Sequence, residues 1–273
     1  MKNKTIITLL LTLTLALALA AAVRAAELFP TQPNSFTILR NSTVGGLSGT
    51  TVNNTRGYIY YTNVDESSGT SKWKAYVGNV SGKYALQDAT GNAIYDWTMA
   101  TVKGEIYASK EAPSGGSGRY AGGIPDWTSA TCANSTLIAS EEAQFNHTAT
   151  DEDSYRNTFK NGNYFNLTTF FAGTKQITDS TVIGNEAGGC FGAYLMQNNA
   201  HQYSHWQEVV LTDGTYQDMG SGVYEYDLVY TSLLENKTTG FDNTPYDFQI
   251  LLPESGLPGT QPNVAYYFYI ELN

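Results

Sequence analysis

Two imidazoles and a carboxylate sit close together in His201-Gln202-Tyr203-Ser204-His205-Trp206-Gln207-Glu208. Ring nitrogens with a carboxylate suit zinc or copper, so His201, His205 and Glu208 are the candidate metal ligands. On a helix the i, i+4 spacing would bring both rings to one face. The flanks, Asn198-Asn199 and a strand beginning at Trp206, favour an ordinary polar loop, and in a strand the two rings would stand ~13 Å apart. Calcium takes carboxylate oxygens; its candidates are Asp151-Glu152-Asp153 and the turn acids Asp88, Asp213 and Asp218. No Asp-x-Asp-x-Asp-Gly loop with a closing Glu is present, and the same acids serve equally as helix-start or solvated residues. The chain has no Gly-x-Ser-x-Gly, His-Glu-x-x-His, Walker loop or Cys-x-x-Cys-His. Two carboxylates for glycoside hydrolysis can be drawn from any set of 25 acids, so that chemistry is not specified. No catalytic or cofactor-binding residue is assigned.

Two further residue sets carry covalent chemistry. Cys132 and Cys190 are the only cysteines. In an oxidising compartment such an isolated pair forms a disulfide. The loop it closes is worth roughly 4 kcal/mol on the chain-entropy model. Free or metal-bound thiols are the rival reading, but neither Cys has a second Cys or a His at ligand spacing. Asn41, Asn53, Asn79, Asn134, Asn146, Asn166 and Asn236 each open an Asn-x-Ser/Thr triplet, the acceptor for an N-linked glycan.

The address comes from residues 1–25. Lys2 and Lys4 precede an apolar run from Thr5 to Val23, which ends in Arg24-Ala25-Ala26. A basic start, an apolar stretch and small residues make a secretory signal cleaved after Ala25. The run is long enough, at ~1.5 Å per residue, to nearly span a bilayer, so a retained N-terminal anchor is the alternative. Without Lys2, Lys4 and Arg24, 12 basic residues face 25 acidic ones, a net charge of −13. No net positive charge remains to neutralise phosphates, which argues against nucleic acid as a partner. A membrane would be reached only through an uncleaved N-terminal segment.

The elements that must position these groups are strands. Helical periodicity is nearly absent, and Asp151 to Asn163 is the one place expected to hold a short helix. Alternating, Tyr-rich runs separated by Gly, Asn and Asp suit a pleated, half-buried sheet. Strands are expected at Gly57–Val64, around Trp73–Val77, and at Lys83–Gln87, Ala93–Val102 and Glu105–Ser109, as a meander of hairpins. Later strands are expected at Asn163–Phe171, Cys190–Met196, Trp206–Leu211, Val223–Leu234, Tyr246–Leu252 and Ala265–Leu272. The last is so aromatic that a central or sandwiched position is expected, since such an edge would aggregate. Strands without regular helices argue for an all-β fold, an antiparallel β-sandwich of Ig-like or jelly-roll type. It spans residues 26–273 as one unit, or as two packed β modules split near the Gly-rich loop 112–126.

The segment Trp73-x-x-Tyr76-Val77-Gly78-Asn79-Val80-Ser81-Gly82, running on to Leu86-x-Asp88-x-x-Gly91-Asn92-x-x-Tyr95-x-Trp97, resembles a recurrent segment of secreted archaeal proteins. The stretch from Thr244 through Tyr266 to Leu272 is similar to the ends of the same proteins. The resemblance implies an envelope or extracellular protein and brings no catalytic residue with it. In physical terms Trp73 and Trp97 are expected to fill the core. A carbohydrate platform built on Trp73, Trp97 or Trp127 is the alternative.

The resulting expectation is a secreted or surface-displayed glycoprotein with a structural, adhesive or self-assembling role in the cell envelope. Its partners would be copies of itself, other envelope proteins or surface glycans. A carbohydrate-binding module is the first alternative and a secreted hydrolase the second.

Overall fold

The computed structural model describes residues 30, 51–54, 57–60, 72–90, 92–110, 125–182, 188–218, 224–254 and 265–273. The N-terminal signal or anchor, Asn41, and most of the 112–126 loop lie outside these residues.

In chain order the strands are β1 (Thr51–Asn54), β2 (Gly57–Tyr60), β3 (Trp73–Gly78), β4 (Lys83–Gln87), β5 (Ala93–Thr98), β6 (Gly104–Ser109) and β7 (Thr131–Cys132). Two helices follow, α1 (Ser135–Gln144) and α2 (Tyr155–Thr158), then a 3₁₀ turn at Gly162–Tyr164. The chain continues with β8 (Phe170–Ala172), β9 (Lys175–Ile177), β10 (Gly192–Tyr194), β11 (Gln207–Asp218) and β12 (Tyr224–Leu233). It closes with β13 (Thr238–Thr239), β14 (Pro245–Tyr246), β15 (Phe248–Pro253) and β16 (Tyr267–Leu272).

The fold is all-β and antiparallel, organised as a sandwich around one six-stranded sheet. The sheet runs β10-β11-β12-β6-β16, with β7 also pairing with β11. Alternation along the strands sends side chains to two cores. Ile106, Ala108, Val210, Leu228 and Tyr230 point to one face. There they meet α1, α2 and the ribbon formed by β3 and β15, through Leu137, Ile138, Tyr155, Phe159, Ile250 and Leu252. Tyr107, Val209, Leu211, Val229 and Tyr269 point to the other face. That face is covered by Trp127, Phe165, Phe170, Ile177 and the two cysteines. A sheet buried on both sides needs apolar residues at successive positions, which Val209-Val210-Leu211 supplies.

The disulfide is formed: Cys132 is bonded to Cys190, with Cα atoms 5.2 Å apart and both residues fully buried. It ties β7 to the segment entering β10, under the second face of the sheet.

Four expectations are corrected in whole or in part. The meander does not extend past β4–β5. β3 pairs instead with β15, Trp73 opposite Pro253 and Gly78 opposite Phe248. This partner lies far along the chain and lets β3 cover the apolar face of the sheet. β16 is at the end of the sheet, paired with β6 alone among the described residues. Its Tyr269 and Glu271 are nevertheless buried, because Trp127 and Gly173 cover that side. The main helix is α1 rather than 151–163, where only the single turn of α2 forms. The Asn134 side chain starts α1 by accepting from the Leu137 N–H at 3.0 Å. In place of the long strand expected at 163–171, only a short one forms, Phe170–Ala172.

Candidate functional site

The proposed metal ligands are not brought together. Glu208 lies on β11, fully buried, with Oε2 accepting from the Leu251 N–H of β15 at 2.7 Å. Burial holds its carboxyl well above the usual range, partly offset by that hydrogen bond. His205 turns instead towards Glu235, Nδ1 to Oε1 3.3 Å, and His201 is exposed. The loop between them is organised by Gln202. Its Oε1 accepts from the Ser204 and His205 N–H groups, both at 2.7 Å, and its Nε2 donates to the Leu195 carbonyl at 2.8 Å. Among the described residues no three His, Cys, Asp or Glu side chains gather as a metal set. The acidic run at 151–153 is tied up as well: Lys72 Nζ reaches Asp151 Oδ2 at 2.5 Å and Asp153 Oδ1 at 2.9 Å. The Lys72 contact draws the Asp151 carboxyl down to about 2. Asp213 accepts from the Asp126 N–H at 3.0 Å. Asp88 is held low by the Thr90 hydroxyl and Asn92 in its own turn.

Five of the seven sequons fall on described surfaces. Asn79, Asn146, Asn166 and Asn236 are exposed, and Asn134 is half-buried. Asn146 takes φ 55°, in the left-handed region that Asn tolerates after a helix. Asn236 Oδ1 accepts from the Val102 N–H at 3.0 Å. Asn53 is on β1, its side chain outside the described set.

Two carboxyls do meet, at a place the sequence reading did not single out. Glu105 of β6 and Glu271 of β16 are opposite each other in register, and both are buried. Glu271 Oε2 accepts from the Tyr107 hydroxyl at 3.1 Å and the Gly173 N–H at 2.9 Å. Glu105 Oε2 has one donor, Asn273 Nδ2, at 3.1 Å. Burial first, and then the facing Glu271, push the Glu105 carboxyl up to about 8. Two like charges this close in an apolar setting cannot both ionise cheaply, and Glu271, with two donors against one for Glu105, is the better placed of the pair to carry a charge. Both side chains are buried, only 5 % and 4 % exposed.

The outward-facing candidate is the β4–β5 hairpin. It pairs Leu86 with Tyr95 and Lys83 with Thr98, and every residue of β5 is exposed. Leu86 is 53 % exposed, Ile94 67 %, Tyr95 59 % and Trp97 51 %. Trp97 is therefore not a core residue. Its ring stands 4.8 Å from that of Tyr95 at an interplanar angle of 67°. A Lys83–Asp96 ion pair neutralises the other side of the hairpin. Of the other tryptophans considered, Trp73 packs half-buried against His147 and Phe159, and Trp127 is buried between Tyr107 and Tyr269.

No helix among the described residues is long and apolar enough to cross a membrane. Comparison of the chain with protein-family models, curated proteins and solved structures finds no match.

Proposed function

We propose that this chain is a secreted or surface-displayed glycoprotein with a structural, adhesive or self-assembling role in the cell envelope, working through surface contact. The β4–β5 hairpin carries the reading. A two-stranded hairpin is marginal on its own, and this one spends Leu86, Ile94, Tyr95 and Trp97 on solvent rather than on the core. Contiguous exposed apolar side chains on a soluble protein mark contact surfaces. Tyr and Trp suit such a role, since they offer large contact area with few rotatable bonds. The disulfide fits an oxidising compartment. Sequons on exposed positions fit a glycosylated surface.

The two alternatives have less support. A flat sugar platform needs rings in one plane, and Tyr95 and Trp97 stand at a steep angle while Trp127 is buried. A hydrolase needs its two carboxyls on a cleft, and Glu105 and Glu271 face the interior.

Fractionation of the native host, with electron microscopy of its envelope, tests the proposal. Recovery with the envelope as an ordered or adherent layer is expected. Recovery as a free monomer in the medium would sink the envelope role. Trp97→Ser with Tyr95→Ser is expected to release the protein from the envelope.

A further inference from the structure

Lys110 follows β6 directly, and its side chain is completely shielded from solvent. Its Nζ is 2.7 Å from Glu141 Oε2 and 2.7 Å from Gln144 Oε1, two side chains one turn apart on α1. Phe145 lies over the amine, 5.5 Å from ring centroid to Nζ. The Tyr230 hydroxyl donates to Glu141 Oε1 at 2.8 Å and fixes the carboxylate. A shielded amine and carboxylate thus meet a half-buried carboxamide. A carbonyl bond is about 1.23 Å long, so the Gln144 carbonyl carbon is within about 4 Å of Nζ. The terminal torsion of Gln is broad, and a turn about it presents the face of the carboxamide to the amine.

We propose that Lys110 and Gln144 become joined by a side-chain amide, with Glu141 as the proton carrier. In water the ammonium is inert and the amide is a poor acceptor. At 2.7 Å from Glu141 Oε2, Nζ passes a proton to the carboxylate and is left as a neutral amine. Nζ then attacks Cδ of Gln144. Glu141 gives its proton to Nε2 as the Cδ–Nε2 bond breaks, and the departing ammonia leaves as ammonium with the second proton from Nζ. One C–N bond forms and one breaks, and no oxidant or other co-reactant is consumed. Fixed proximity supplies the rate, as in other well-oriented intramolecular acyl transfers. The product welds the end of the interior strand β6 to helix α1. The proposal stands independently of the envelope reading, although a covalent weld suits a load-bearing surface protein.

Peptide mass spectrometry of the full chain, produced in an oxidising compartment without N-glycosylation and then reduced, tests it directly. Trypsin is expected to spare the bond after Lys110. The peptide 104–119 should be found joined to 120–156, lighter than the two together by one ammonia. Lys110→Arg, checked for folding by circular dichroism, should abolish the joined species. Separate peptides with cleavage after Lys110 in the unmutated protein would overturn the proposal. A joined pair lighter by one water would overturn it as well, since the bond would then be to Glu141.

Discussion

At the residue scale, the buried acids make this protein sensitive to pH in an unusual direction. Glu105 has its folded carboxyl raised from the usual 4.5 to about 8. Between those values the unfolded chain has released its proton and the folded chain has kept it. The folded state therefore binds more protons, and stability falls as pH rises through that window. The shift bounds the loss at about 5 kcal/mol for Glu105 alone. Glu208 and Glu271 are raised by burial too and act in the same direction. The denaturation midpoint is expected to drop steadily from pH 5 to pH 8. Glu105→Gln, which keeps the Asn273 contact and cannot ionise, should flatten that slope. A midpoint unchanged across the range would contradict the assignment. None of this can be read from sequence, because Glu105 and Glu271 are 166 residues apart and meet only through the pairing of β6 with β16.

At the element scale, the features readable from sequence are those with strong short-range signals. β12 and β16 match their expected alternating runs, and β4–β5 matches its expected hairpin. β3 was readable as a strand but not in its partner, since the choice of β15 is made by burial against the sheet rather than by a turn. α1 escaped because its buried side includes Glu141 and Glu142 beside Leu137 and Ile138, so its inner face is only half apolar. The candidate ligands His201, His205 and Glu208 were close in sequence, but β11 carries Glu208 inward. Asn134 has two separable roles, cap and glycan acceptor. Asn134→Ala should cost about 1 kcal/mol through the lost cap, whereas Thr136→Ala removes only the sequon and should leave stability nearly unchanged in unglycosylated protein. Chemical denaturation of the two variants separates the effects. The hairpin behaves oppositely. Trp97→Ser, an exposed site, should shift folding stability by less than about 1 kcal/mol while weakening association in sedimentation experiments. A large loss of stability would show that the hairpin is a folding element after all.

At the scale of the whole molecule, one sheet with two covered faces carries the structure, and the disulfide locks the second cover in place. Because both cysteines are fully buried, a reductant should act only on molecules that have opened. Cys132→Ser with Cys190→Ser removes the cross-link and should lower stability by up to roughly 4 kcal/mol, seen as an earlier denaturation midpoint. An unchanged midpoint would mean that packing of Phe165, Phe170 and Ile177 alone holds that layer. The order of strands in the sheet has a further consequence, in time rather than in space. β6 lies in the interior of the sheet, yet its neighbour β12 comes about 120 residues later and its neighbour β16 about 160. During synthesis the first half of the sheet has nothing to close against. Topologies dominated by such distant pairings fold slowly. If the chain is exported as proposed above, passing through a membrane as an unfolded thread, that delay serves it, because the sheet closes only when its final strands have been delivered.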